Sequence, residues 1–304
     1  MNWKEQLESN FSDLQFQWDE PMAKHTTFRI GGNADGYVEP TVARACDLMN
    51  YCQMADIPVT VLGNGSNVLV ADEGIEGLVI SFGKAAAQIK IEGNRIFAEA
   101  GALLSQVAHA AAKNELTGLE FAAGIPGSIG GALMMNAGAY GGEMKDVVVS
   151  LQVLLEDGGI QLWSLEDADL SYRHSHMMEV GATVLAVEME LKPGNKEEIY
   201  SAMEDFRTRR MEKQPLEFPS AGSTFKRPEG YFAGKLIMDA GLAGFHIGDA
   251  QVSEKHCGFV INKGGATATQ VRQLIREVSE IVMQKNGVRL EPEVRFLGRF
   301  QEEK

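Results

Sequence analysis

Cysteine is scarce in this 304-residue chain. Cys46, Cys52 and Cys257 are an odd number without metal-like spacing, which argues against a disulfide framework and fits a reducing cytoplasm. No run approaches the roughly 18 apolar residues of a membrane-spanning helix. The N-terminus MNWKEQLESNF carries acids and no apolar core, so neither a span nor a secretory signal is expected. Basic residues are the minority, with 28 Lys and Arg against 42 Asp and Glu and a formal net charge of −14. That balance argues against a nucleic-acid binder, which needs a basic surface. GxGxxG is absent, which argues against a dinucleotide held on a Rossmann turn, and so are HExxH, GxSxG and the P-loop. The six histidines show no ligand-like pairing, and His174 and His176, two apart, suit neither face of a helix. No metal site is expected.

What is present is ordinary globular material, 44% apolar and 23% charged, long enough for two or three compact units. Glycine concentrates in one place. Residues 124–142, GIPGSIGGALMMNAGAYGG, hold seven glycines in nineteen positions without the padding of a flexible linker. Glycine costs chain entropy, so a folded protein gathers it where the backbone takes unusual angles or approaches something closely. Turns between strands would satisfy that condition, and so would backbone N–H groups aimed at phosphate oxygens. A second small-residue loop, Gly63-Asn64-Gly65-Ser66-Asn67, lies between the strand-like runs 57–62 and 68–70. Two such loops favour a backbone cradle for a long diphosphate-bearing cofactor.

Periodicity predicts an amphipathic helix over 2–17, a helix capped by Thr41 running to Ala55, and an Ala-rich helix over 103–114. Strands are predicted over 77–82, 89–100 with a turn at Gly93-Asn94, 147–156, 160–163 and 183–191. A helix follows from 195 to about 213, then one over 231–240, a strand over 257–262, a long helix over about 269–285 and an extended end over 288–296. Strands and helices without a βαβ cadence give an α+β fold. Residues 206–228 carry six basic side chains against two acidic ones. Helix-end charge explains part of that excess, while Lys226 and Arg227 lie beyond the helix, so an anionic ligand is the expected reason for the cluster.

Four segments in order, GNGSNVLVADEGIEGLVI (63–80), AGIPGSIGGALMMNAGAYGGE (123–143), SYRHS (171–175) and PSAGSTFKRP (219–228), combine with the closing LEPEVRFLG (290–298). Together they resemble the MurB family of UDP-N-acetylenolpyruvoylglucosamine reductases over about residues 21–300. The resemblance implies an N-terminal helical segment (1–20), a FAD-binding domain of the vanillyl-alcohol-oxidase type (21–194, subdomains about 21–80 and 81–194) and a substrate-binding domain (195–304). It places FAD on Gly63, Asn64, Gly65, Ser66, Asn67, Gly127, Ser128, Gly130, Gly131 and Asn136. FAD is expected to be non-covalent, because neither His nor Cys occupies 63–67. The implied reaction takes a hydride from NADPH onto FAD and then to C3 of an enolpyruvyl ether, with a proton delivered to C2. Flavin carries the hydride chemistry, so the protein supplies orientation, charge stabilisation and the acid.

Three positions match the family's catalytic residues. Ser223 matches the serine that protonates C2, Arg173 the arginine on the substrate carboxylate, and Glu293 the glutamate that stabilises the enolic intermediate, best when protonated. Taken alone, these would read as a turn residue and two surface ion-pair partners. Lys213 and Lys226 match substrate-side positions suited to UDP phosphates, and charge adds Arg227. Only seven residues separate Ser175 from Thr183, too few for the tyrosine-bearing loop of the family's longer branch, so the chain resembles the shorter one. The expected partners are UDP-N-acetylglucosamine enolpyruvate and NADPH, with no nucleic acid, membrane or obligate protein partner, in the cytoplasm. A soluble oxidase on the same FAD fold should lack the Ser223, Arg173 and Glu293 set. A non-catalytic nucleotide-sugar module would not bleach with NADPH.

Overall fold

The computed structural model describes residues 2–300. Packing divides the chain into two units. The first comprises Met1–Gln17, Gly36–Asn64 and Gly77–Arg210, and the second Trp18–Asp35, Gly65–Glu76 and Met211–Lys304. The chain thus passes from the first unit to the second between Asn64 and Gly65, in the middle of the 63–67 loop.

The first unit is built on a five-stranded antiparallel sheet, ordered Ile160–Ser164, Val148–Leu154, Thr183–Glu190, Arg95–Glu99, Ile89–Glu92. Glu92 pairs with Arg95 across Gly93-Asn94, and Gly93 takes φ +61°, as a two-residue hairpin turn requires. The central strand Thr183–Glu190 is buried over most of its length, which matches its nearly continuous apolar run. Helix Leu104–Lys113 lays Leu104, Val107, Ala108 and Ala111 into one core with Ile96, Leu151, Val187 and Met189. Burying each large aliphatic side chain there contributes about 1.5–3 kcal/mol. Elsewhere in the unit, helix Val42–Met54 is capped by Thr41, whose Oγ1 accepts the Arg44 N–H at 3.4 Å. Strand Val59–Leu62 pairs in parallel with residues 78–81.

In the second unit an antiparallel sheet runs in the order Ser220–Ser223, Phe259–Asn262, Ala250–Val252, His246–Ile247. Helix Ala268–Asn286 buries Val271, Leu274, Ile275, Val278 and Val282 in its core, the stripe its 3.6-residue period predicts. Thr267 and Gln270 close a capping box at its start, and Gly287 ends it at φ +67°. Asp72 adds a second cap, accepting the N–H groups of Ala268 at 2.7 Å and Thr269 at 2.9 Å. Phe28, Ile30 and Leu69 fill the same core as Phe225, Leu290 and Val294. Strand Val68–Val70 pairs in parallel with Arg295–Leu297. Residues 18–35 and 65–76 therefore pack with the C-terminal part of the chain, a partition different from linear limits at 80 and 194.

Two local expectations are corrected. The first helix spans Trp3–Asn10 and not 2–17: Phe11 leaves the helix at φ −129°, and Asp13 beyond it ion-pairs with Arg44. The glycine-rich stretch is not loop throughout, because Ile129–Met134 is a helix. Ile129, Ala132 and Leu133 stand at helical spacing and are buried, which offsets the cost of two glycines. Among the described residues no helix is long and apolar enough to cross a membrane.

Candidate active site

The two halves of the 63–67 loop are held differently. In the first unit, Asn64 donates through its side-chain amide to the Pro126 carbonyl at 2.6 Å, fastening the loop to the glycine-rich stretch. A Cβ at Gly63 would stand 2.4 Å from Ser128 Oγ. Ser128 is 2% exposed, and its Oγ is the one buried side-chain polar atom without a hydrogen-bond partner among the described residues. An orphaned buried hydroxyl facing a glycine is a polar niche that a bound ligand can satisfy. Gly131 adds open ground, exposed and with Ser128 Oγ, at 3.8 Å, the nearest atom to a Cβ built there. Gly127 lies on the same segment, its carbonyl accepting the Leu104 N–H at 2.9 Å.

Gly130 and Asn136 have structural duties of their own. The Gly130 N–H donates to the Ala100 carbonyl at 2.8 Å, and a Cβ there would press on Ala100 Cβ at 3.1 Å. A side chain there would be tight against Ala100. Asn136 is 1% exposed; its amide donates to Glu143 at 2.7 Å and its Oδ1 accepts the Lys145 N–H at 3.0 Å. Both ends of the side chain thus tie the loop that follows it.

Arg173 stands in a tight turn. Ser171 and His174 exchange backbone hydrogen bonds at 3.1 and 3.2 Å, leaving Tyr172 and Arg173 as the central pair. Arg173 takes φ +55°, a left-handed conformation that non-glycine residues rarely adopt. Its guanidinium carbon lies 5.1 Å from the centre of the Tyr172 ring. Fully buried Ser175 then donates to the Met134 carbonyl at 2.9 Å, tethering this turn to the end of the glycine-rich helix. This tether could not be read from the sequence, because nothing local shows which carbonyl Ser175 reaches.

Ser223 and Glu293 come together in the second unit. Ser220 pairs with Ile261 and Ser223 with Phe259, so one extra residue bulges between them, and Gly222 takes φ +75° with nothing within 4 Å of a Cβ. A bulge re-aims the side chain beside it, and here it presents Ser223 at the surface. On the other side, Glu293 N–H donates to the Thr224 carbonyl and Lys226 N–H to the Glu291 carbonyl, both at 2.8 Å. This pairing sets Glu293 opposite Thr224, one position from Ser223. Thr224 is pinned in turn: it is buried, its Oγ1 accepts the Val260 N–H at 2.9 Å and its N–H donates to Gly258 at 2.8 Å. From the 63–67 loop, Asn67 donates to the Glu293 carbonyl at 3.2 Å. Ser66, partly exposed, precedes it.

The basic cluster of 206–228 does not act as one. Arg207 pairs with Glu204 at 2.6 Å and Arg209 with Asp205 at 2.7 Å along their own helix, so these two are a solvated helix face. Their acidic partners lie just before residue 206, which is why the segment reads as uncompensated. Lys226 forms an ion pair with Glu291 at 3.6 Å, and Arg227 lies 4.0 Å over the Phe232 ring. Lys213 is close enough to His256 for its charge to help burial hold that imidazole below its ordinary value. Arg210, in the first unit, is partly buried near Gly124, and burial pulls its guanidinium pKa down, opposed by Tyr140. Tyr140 itself stacks on Phe206 at 4.4 Å. Among the described residues no group of three His, Cys, Asp or Glu is arranged to hold a metal ion.

A family model described as an FAD binding domain matches residues 34–162. A second, described as the UDP-N-acetylenolpyruvoylglucosamine reductase C-terminal domain, matches residues 214–297. A relative from Agathobacter rectalis named UDP-N-acetylenolpyruvoylglucosamine reductase is 56% identical, the match covering 93% of this chain and 94% of the relative. The chain belongs to that family. A Clostridium novyi relative of the same name is 50% identical over 97% of this chain and 96% of its own length. The solved MurB of Thermus caldophilus, titled as the same reductase, superposes with a TM-score of 0.80 at 34% identity, covering 93% of this chain and 98% of that one. The α+β fold, with an FAD-binding domain and the family's C-terminal domain, is as the sequence implied, and the chain is an FAD-containing oxidoreductase. The open niche at Gly63, Ser128 and Gly131 fits such a group.

Proposed function

We propose that the chain reduces UDP-N-acetylglucosamine enolpyruvate to UDP-N-acetylmuramate at the expense of NADPH, a step of peptidoglycan precursor synthesis in the cytoplasm. The observation that carries this reading is the pairing of Thr224 with Glu293, which puts an exposed serine and a carboxyl on hydrogen-bonded neighbouring segments. FAD, bound against Gly63–Asn67 and the glycine-rich stretch, supplies the hydride for C3. The protein's own task lies at C2 and at the substrate's charges.

Ser223 Oγ holds the proton for C2. A serine hydroxyl is a poor acid in water, but an enolate-like carbon is basic enough to draw its proton when the two are placed in contact. Gly222 allows the bulge that turns Ser223 outward, and buried Thr224 keeps the strand from relaxing. Arg173 offers the substrate carboxylate a planar fork of two N–H donors. Glu293 stabilises the enolic form beside that carboxylate. Lys213, with Lys226 and Arg227, faces the UDP phosphates, and residues 195–304 carry most of the substrate contacts. Asn64 and Ser128 are the first unit's own candidates for holding the cofactor.

The test is optical. Purified protein should be yellow, bleach with NADPH in the absence of oxygen and recolour on addition of the enolpyruvyl nucleotide. Protein that bleaches but recolours only with oxygen would instead be an oxidase.

A further inference from the structure

Thr27 occupies a position that the reaction itself does not explain. Its backbone N–H donates to the Gly65 carbonyl at 3.0 Å, and its Oγ1 donates to the Ser220 carbonyl at 2.7 Å, 193 residues away. One residue thus joins the second half of the 63–67 loop to the strand Ser220–Ser223. Gly65 is seated closely on the same segment, since a Cβ there would stand 2.0 Å from the His25 carbonyl oxygen. Asn262, 4% exposed, holds that segment from the neighbouring strand by donating to the Phe28 carbonyl at 3.2 Å. Two residues along the loop, Asn67 makes the matching link to the segment of Glu293. Its amide donates to the Glu293 carbonyl at 3.2 Å, and its own carbonyl accepts the Arg295 N–H at 3.0 Å. All these groups belong to the second unit.

We infer that Thr27 and Asn67 are positioning residues through which the loop 65–67 sets the strand of Ser223 and the segment of Glu293, so that FAD on the loop orders both. The links are side-chain bonds to backbone carbonyls, which fix where a strand lies without touching the reacting atoms. Each bond is specific to one strand: Thr27 Oγ1 reaches only the Ser220 side, and the Asn67 amide only the Glu293 side. The inference rests on the cofactor and catalytic assignments proposed above, but the coupling is measurable without turnover.

The experiment is hydrogen exchange on the full chain, with and without saturating FAD, followed in peptides covering 219–226 and 289–296. In the wild type FAD should slow exchange in both peptides. Thr27→Val keeps the N–H bond to Gly65 and loses only the hydroxyl, so FAD-dependent protection should fall roughly fivefold over 219–226, and less over 289–296, which is bonded to it through Glu293 and Lys226. Asn67→Ala should give the converse pattern, and Thr27→Ser should behave as wild type. Reoxidation of the flavin by the enolpyruvyl nucleotide should slow in Thr27→Val and recover in Thr27→Ser. Should Thr27→Val fail to fold, Asn67→Ala and Thr27→Ser carry the same comparison. Equal protection of both peptides in the variants and the wild type would overturn the inference, as would FAD binding that protects neither peptide. If the exchange pattern holds while Ser223→Ala reoxidises at full rate, the coupling stands and the serine's assignment falls.

Discussion

Arg173 holds φ at +55°, a conformation that costs a residue with a Cβ roughly 1–2 kcal/mol. Arg173→Ala keeps that cost and Arg173→Gly removes it, while both delete the same guanidinium and its contact with the Tyr172 ring. Glycine loses more chain entropy on folding, roughly 0.5–1 kcal/mol. The glycine variant should therefore be the more stable of the two by about 0.5–1 kcal/mol, a difference in which every side-chain contribution cancels. Urea unfolding of the two proteins measures it directly. Activity should go the other way: both variants lose two charge-assisted hydrogen bonds to the substrate carboxylate, at roughly 1.5–3 kcal/mol each. That is a fall of roughly 10²–10⁴-fold in kcat/KM for each. Arg173→Lys keeps the charge without the fork and should lie between. An alanine variant at least as stable as the glycine one would refute the strain argument. Full kcat/KM in either would remove Arg173 from the substrate carboxylate.

Ser223→Ala should still bleach with NADPH at a near-normal rate, while reoxidation by the enolpyruvyl nucleotide slows by roughly 10²–10⁴, the usual value of general-acid help. Stopped-flow absorbance separates the two steps, and unaltered reoxidation would make Ser223 a turn residue. Gly63→Ala puts a Cβ 2.4 Å from Ser128 Oγ and should yield folded but flavin-depleted protein. A normal ratio of flavin to protein absorbance would show that the niche is not where FAD rests. Lys213→Ala should raise KM for the nucleotide substrate with little effect on flavin content, and the difference should shrink with added salt. Burial, aided by the Lys213 charge, holds the His256 imidazole below its ordinary 6.5. The folded chain therefore favours the neutral ring, and this contribution is complete above pH 6.5 and lost as pH falls below it. The stability difference between wild type and His256→Gln should change in that sense from about pH 7.5 to about pH 5.5 in urea titrations. A difference independent of pH would mean the ring titrates alike folded and unfolded.

Elements set by short-range rules were legible in the sequence. The helices Val42–Met54 and Ala268–Asn286 follow from a 3.6-residue apolar period with Thr caps, and the Gly93-Asn94 hairpin from its turn residues. The motifs that pointed to the family and to FAD are likewise contiguous runs. Tertiary structure decided the rest, because the groups concerned meet only after the chain has folded back on itself. No local signal says that Thr27 will find Ser220, that Asn67 will reach Glu293, or that Asp72 will cap a helix beginning at Ala268. Charge was misread for the opposite reason: Arg207 and Arg209 are neutralised within one helical turn, by neighbours a fixed window left out. Glycine shows the division most plainly. Its abundance over 124–142 announced close approach, but only packing separates Gly130, tight against Ala100, from Gly63, which faces a buried hydroxyl without a partner. A missing Cβ records that something must come near, and the folded neighbours alone determine what that is.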